Sequence, residues 1–237
     1  MKTFLIAGAS GGIGNEIART LNKKGNRLIL LCNNNEKELK EFKGQVNIQI
    51  IRCDLTSTSE LEKLLNQLKK YESIDGFVFC SGVSRSGLIQ DVTEEDYSYI
   101  MDTNFKACVM LTKLVAKNMI FNKSGKIVFI SSMWGVVGAS MESLYSASKG
   151  AMNTFTLSLA KELGPSGITV NAICPGLIDT KMNACYSKED IKDLVEATPI
   201  SRIGKPKDVA YLTEFLLSNK ADFITGQIIT VDGGFSL

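Results

Sequence analysis

The chain has no histidine in its 237 residues. That absence removes the usual base of Ser/His/Asp hydrolases and the imidazole ligands of most catalytic zinc sites, so any proton transfer needs a different carrier. Proline is scarce as well. Of the four prolines, Pro165 follows a helical pattern, Pro175 follows a strand-like run and Pro199 precedes "ISRIGKP", so proline here marks boundaries. No apolar run approaches the ~18 residues that a membrane span needs. No Gly/Ser linker, low-complexity block or internal repeat divides the chain, and residues 1–237 read as one domain.

Charge of a single sign is lacking too. The 27 basic and 25 acidic residues are interspersed for a net charge of +2, and the only basic clusters are pairs such as Lys23-Lys24 and Lys69-Lys70. Such pairs are solvated helix faces, and they exclude the basic stripe expected of a nucleic-acid binder. The six cysteines, Cys32, Cys53, Cys80, Cys108, Cys174 and Cys185, show no CxxC spacing. They are expected to be free thiols, mostly buried, in a reducing cytosol, with no metal site. The start, "MKTFLIAGAS", has too short an apolar run for a signal peptide, and the expectation is a soluble, cytoplasmic protein.

What is present is ordinary globular material, 44% apolar and 22% charged, with a regular alternation of elements. Seven short apolar runs ("TFLIAG", "RLILLC", "IQIIRCD", "GFVFCSG", "KIVFISS", "ITVNAIC", "QIITVDG") leave room for helices between most of them. The pattern predicts an α/β, Rossmann-like, doubly wound parallel sheet of about seven strands with helices on both faces. In "STSELEKLLNQLKKY", Leu61, Leu64, Leu65 and Leu68 recur at helical spacing, with Ser57, Thr58 or Ser59 as the cap. The polar, weakly periodic stretch 181–206 is expected to form a mobile substrate flap.

"FLIAGASGGIGNEIARTL" passes from a first strand through glycines into a helix that is expected to continue to about Lys24. Gly8 permits the tight turn, Gly12 lets backbone N–H groups approach a pyrophosphate, and Gly14 allows close helix-on-strand packing. That context is the one a dinucleotide site demands. The second strand ends in Cys32, Asn33 and Asn34, with no carboxylate to repel a 2′-phosphate, which favours NADPH (NADP) over NADH. Arginine is missing from this strand end and from Gly11, so Asn33 and Asn34, with Lys37 as the cation, are the candidate phosphate contacts.

Tyr145 and Lys149 are four residues apart in a helical pattern and share one face. An ammonium beside a phenol, joined by an oxidised nicotinamide, is expected to lower its pKa from about 10 towards neutrality. Ser132, at the end of the fifth strand and thirteen residues before Tyr145, is placed to donate a hydrogen bond to a carbonyl oxygen that Tyr145 protonates. Lys149 also stands where it can hold a nicotinamide ribose. Taken together, the glycine turn, the serine and the Tyr/Lys pair point to a carbonyl reductase.

On these residues the chain resembles the short-chain dehydrogenase/reductase family over its whole length. "AGASGGIG" resembles the family's cofactor loop (Gly8, Ser10, Gly11, Gly12, Ile13, Gly14), "CDL" its adenine-contacting Asp54 and Leu55, and "MDTNFKA" its helix asparagine, Asn104. "CPGLIDTKM" is similar to the segment against the nicotinamide (Pro175, Gly176, Ile178, Thr180), and "ITGQIITVDGG" to the last strand. The resemblance implies that Asn104 holds a water linking Lys149 to solvent and that Ile178 and Thr180 contact the carboxamide. It also implies a homotetramer. Two departures stand out: Ala7 replaces the family's threonine, and "FCSG" replaces Asn-Asn-Ala-Gly, keeping only Gly82. The expected result is altered local hydrogen bonding with catalysis retained.

Length and the C-terminal half resemble 3-oxoacyl-[acyl-carrier-protein] reductases, whose acidic carrier calls for basic residues beside the mouth; Lys123 is one candidate, while Ser166 lacks the charge of the arginine that related reductases often carry there. A narrower resemblance, in "FCSGVSRSGLIQDV" and "SSMWGVVGASMESLYSASKGA", is to the bacterial elongation factor P 5-aminopentanone reductases, whose ketone ends in a cationic amine. Trp134 then reads as a pocket wall or as core, and Glu142 as an amine contact or as a first-turn helix glutamate. A dinucleotide-binding sensor or interaction protein without turnover is a third reading, disfavoured because Ser132, Tyr145 and Lys149 are all present.

Overall fold

The seven apolar runs become seven strands. The computed structural model describes residues 1–184 and 186–237; Cys185 lies outside the described residues. The strands are β1 (Thr3–Ala7), β2 (Arg27–Cys32), β3 (Ile48–Arg52), β4 (Gly76–Phe79), β5 (Gly125–Ile130), β6 (Ile168–Pro175) and β7 (Ile228–Val231). They form one parallel sheet in the order β3-β2-β1-β4-β5-β6-β7. β6 runs through Pro175 instead of stopping before it. At that final position proline costs the ladder a single donor, and its carbonyl still accepts from Met133 N–H (2.9 Å).

Alternation along the strands splits the core in two. Leu5, Ala7, Ile29, Leu31, Phe77 and Phe79 face one layer, and Phe4, Ile6, Leu28, Leu30, Cys32 and Val78 face the other. The first layer is closed by helices α2 (Thr58–Leu68), α4 (Ala107–Asn122) and α6 (Ser143–Leu163), through residues such as Leu64, Leu111 and Met152. The second is closed by α1 (Gly12–Asn22) and α8 (Pro206–Leu216), through Ile17, Leu21, Val209 and Leu216. Ser57 caps α2 by accepting from Glu60 N–H, a bond whose loss costs about 1 kcal/mol.

Helix α3 (Glu94–Met101) passes into α4 through a π-helical stretch, Asp102–Lys106. The wider turn carries Asn104, fully buried, towards α6. A short helix α5 (Trp134–Val137) follows β5. The stretch 181–206 contains regular structure that sequence periodicity underestimates. Lys181–Asn183 forms a 3-10 turn, and α7 (Lys188–Glu196) begins with a capping box in which Ser187 and Asp190 satisfy each other's backbone N–H groups. The segment is tied back by a bridge between Ile178 and Gly204. α1 ends at Asn22, two residues short of Lys24. No described helix is long and apolar enough to cross a membrane.

Candidate active site

The order of strands reverses direction between β1 and β4, and there the loops after both strands separate to leave a crevice. Gly8 makes the turn: its φ is +78°, and a Cβ on it would lie 2.6 Å from the backbone N of Ser81. A Cβ on Gly14 would lie 2.3 Å from the Gly8 carbonyl oxygen, which fixes how closely α1 approaches β1. Gly12 is constrained from across the cleft, since its Cβ would lie 2.7 Å from Thr180 Cγ2. The α1 N-terminus has no side-chain cap and no acidic residue in its first turn. Its unpaired N–H groups therefore remain available to an anion, and the cradle suits a pyrophosphate.

From this turn a cleft of about 780 Å³ extends in both directions along the strand ends. Among the residues singled out above, Gly8, Ser10, Gly11, Gly12, Ile13, Asn33, Asp54, Leu55 and Gly82 line it, as do Ser132, Trp134, Glu142, Tyr145, Lys149, Pro175, Gly176, Ile178 and Thr180. Gly14, Asn34 and Asn104 do not. Gly14 acts through packing. Asn34 turns outward, where its Oδ1 accepts from Arg52 Nη2 (3.4 Å).

Asn104 sits behind the wall. Its Oδ1 accepts from Val83 N–H (2.8 Å), and its Nδ2 donates to the Val83 carbonyl (2.9 Å) and to Ser148 Oγ (3.0 Å). A Cβ on Gly82 would come 3.3 Å from the buried Lys149 Nζ and 3.7 Å from Asn104 Oδ1. Lys149 donates to the Ile130 carbonyl (2.9 Å), and burial pulls its pKa down. Ser132 Oγ accepts from Trp134 N–H (3.1 Å).

Tyr145 corrects one expectation. Burial pushes its phenol up to about 12, against the downward effect of the hydrogen bond with Ser132 and with a further upward push from Glu142. The Lys149 ammonium, 5.7 Å from the ring centroid, does not bring the phenol towards neutrality in the protein alone. Desolvation wins because the ring is half-buried in the cleft wall, where a charged phenolate would lose much of its water.

The mouth contains Ser84, Ser86, Met182 and Leu194, which the sequence did not single out, beside Glu142 and Trp134, which it did. Glu142 stands at the N-cap of α6, not in its first turn, and does not cap the helix with its side chain. Its two carboxylate oxygens instead accept from Ser84 Oγ and from Ser86 Oγ (2.7 Å for the latter). Among the described residues, no lysine or arginine lies within ion-pair distance of it. The signal for the serines was in "VSRSG", where they flank Arg85 in the loop after the fourth strand. Trp134 lines the cleft and packs edge-on against Phe235, with ring centroids 5.5 Å apart. Met182 and Leu194 bring the segment around α7 into the wall.

Lys123 is a second correction. It follows α4 and precedes β5, so the whole strand, about 20 Å at ~3.3 Å per residue, separates it from Ser132. Ser166 precedes β6 at the same edge of the sheet. Within one chain neither residue flanks the mouth. The five described cysteines are free thiols, four buried and Cys80 half-buried, and burial raises the pKa of each of the buried-cleft pair Cys53 and Cys80 to about 11 and about 12.

A parallel sheet with a glycine turn at its switch point, and with a serine, a tyrosine and a lysine on the opposite wall, defines an oxidoreductase fold of one kind: the chain belongs to the short-chain dehydrogenase/reductase family. Residues 8–236 match the family described as Enoyl-(Acyl carrier protein) reductase. The chain is 43% identical over 240 residues to YmfI of Bacillus subtilis, described as an uncharacterized oxidoreductase, covering 99% of this chain and 98% of that one. It is 37% identical over 235 residues to the 3-oxoacyl-[acyl-carrier-protein] reductase FabG of Rickettsia typhi, covering 98% of this chain and 96% of that one. Among solved structures, ElxO with NADP bound superposes with a TM-score of 0.89 at 28% identity, covering 99% of this chain and 98% of that chain.

Proposed function

We propose that the protein is an NADPH-dependent carbonyl reductase that converts a ketone to a secondary alcohol. The observation that carries this reading is the convergence of Ser132, Tyr145 and Lys149 on one wall of a cleft whose other wall is the uncapped start of α1. When bound, NADPH supplies the hydride. Ser132 donates a hydrogen bond to the substrate oxygen as charge develops there, and Tyr145 protonates it. A phenol held near 12 is fully protonated at neutral pH, which suits a proton donor. Lys149 orients the cofactor ribose, and Asn104 keeps one lone pair of Oδ1 for a water that returns the proton. The absence of a carboxylate at Cys32, Asn33 and Asn34 supports NADPH, as does the NADP in ElxO. A homotetramer in the cytoplasm, with the segment around α7 closing over the substrate, fits the family.

The FabG relatives support a 3-oxoacyl thioester on an acyl carrier protein as substrate. The interior of the cleft favours a second ketone, the 5-aminopentanone carried by elongation factor P. Glu142, fixed by Ser84 and Ser86 and with no lysine or arginine counter-ion among the described residues, is an acceptor for an ammonium, and Lys123 is far from the mouth. The deciding experiment measures NADPH oxidation with an acetoacetyl thioester and with aminopentanone-bearing elongation factor P, each beside Tyr145→Phe. Preference for the modified factor, weakened by Glu142→Gln, establishes the second substrate; preference for the thioester establishes the first. No turnover of either, with NADPH still bound, would favour a sensor or interaction role.

A further inference from the structure

The end of the cleft that receives the adenosine half of a dinucleotide holds several cations, and all but a few are already paired. Arg19 lines the cleft but is held by Glu41, Nη2 to Oε1 at 2.6 Å, and by Glu16 at 3.3 Å. Lys43 is paired with Glu36 (2.8 Å) and Lys181 with Glu38 (2.9 Å). Arg52 is different. It is the last residue of β3, an edge strand, and its register partner on β2 is Cys32. Its side chain is exposed, its nearest partner is the neutral Asn34 Oδ1 at 3.4 Å, and among the described residues no carboxylate lies within ion-pair distance.

Arg52 stands between the two segments that build this end of the cleft. Leu31, Cys32 and Asn33 line one side, and Cys53, Asp54 and Leu55 the other. Cys53 N–H donates to the Cys32 carbonyl (2.8 Å), so the two segments are stitched together next to the Arg52 backbone. The guanidinium is turned to Asn34 and does not itself line the cleft, and the Glu36 carboxylate feels its charge, but it forms no ion pair among the described residues and adjoins the cleft-lining Cys53; its planar fork matches phosphate oxygens in pairs.

We propose that Arg52, swinging from its contact with the outward-turned Asn34 into the end of the cleft, is the cation that meets the 2′-phosphate of NADP. This rests on the NADPH reading above. It also explains how the chain dispenses with an arginine both at the end of β2 and in the glycine turn.

Calorimetric titration of NADPH, NADH and 2′-phospho-AMP into wild type, Arg52→Gln, Arg52→Lys and Lys37→Gln tests it without turnover. Arg52→Gln is expected to weaken NADPH and 2′-phospho-AMP by roughly tenfold to a hundredfold, the range of a lost charge-assisted hydrogen bond. NADH is expected to change by less than twofold, Arg52→Lys to retain part of the affinity, and Lys37→Gln to change it little. If wild type prefers NADPH while Arg52→Gln keeps that preference, the assignment of Arg52 is wrong and the cofactor reading stands. If wild type binds NADH as tightly as NADPH, the cofactor reading fails and Arg52 loses its role with it.

Discussion

Around Tyr145 the cleft is built from side chains that are buried or already bonded. Lys149 is held by the Ile130 carbonyl, Asn104 by Val83 and Ser148, and Glu142 by two serines. At the far end, Asn33, Asn34 and Arg52 are exposed, and only the last two touch each other. The contrast teaches what each half must do. Moving a proton and a hydride needs atoms fixed to a fraction of an ångström, so the protein surrounds them. On the reading proposed above, holding a phosphate needs only charge within reach, and exposed side chains can supply that.

The largest effect is expected where fixation is tightest. Tyr145→Phe should lower kcat by about a thousandfold while the calorimetric affinity for NADPH changes by less than about twofold. Near-normal turnover would mean that the catalytic end has been misplaced. Ser132→Ala should lower kcat by about a hundredfold with a smaller effect on KM, because the hydrogen bond strengthens only as charge builds on oxygen.

Lys149→Met separates activity from stability. Ketone reduction should be lost, yet Tm should rise by a few degrees, because a buried amine is removed from a site that disfavours its charge. The pKa of Lys149 is lowered by folding, so the unfolded chain binds the proton more readily and wild-type stability rises with pH through that window. The Tm advantage of Lys149→Met should therefore shrink as pH climbs towards about 10, where the unfolded amine loses its proton. A constant difference across pH would show that packing, not charge, sets it. The smallest effect belongs to the open end: Asn33→Ala should raise the NADPH Kd by about threefold and leave kcat unchanged, as expected for one solvent-exposed hydrogen bond. A larger loss than that of Arg52→Gln would reverse the ranking of the two residues.

All seven strands were legible because each is a short apolar run bounded by turn residues, and parallel strands covered on both faces tolerate little else. Helix α7 was less so. Its apolar residues, Ile191, Leu194 and Val195, are few, although Ser187 and Asp190 spell out a capping box. Ser132, Tyr145 and Lys149 could be grouped from spacing because a strand end and one helix face determine where they meet. Arg52 could not be placed, since its neighbour Cys32 is known only from strand register. Lys123 misled for a related reason: nine residues from Ser132 looks close, but those residues form an extended strand. The raised phenol of Tyr145 depends on its burial in the cleft wall, which spacing along one helix does not reveal.

Trp134 is the chain's sole indole, and it stands in the wall of the cleft with its edge against Phe235. All tryptophan emission from this protein therefore originates in the cleft that Tyr145 also lines. A molecule settling beside Tyr145 changes the polarity around that ring, and a reduced nicotinamide in the same cleft overlaps its emission and draws energy from it. The molecule thus carries an internal optical gauge of occupancy, able to follow filling of the cleft in real time without a label.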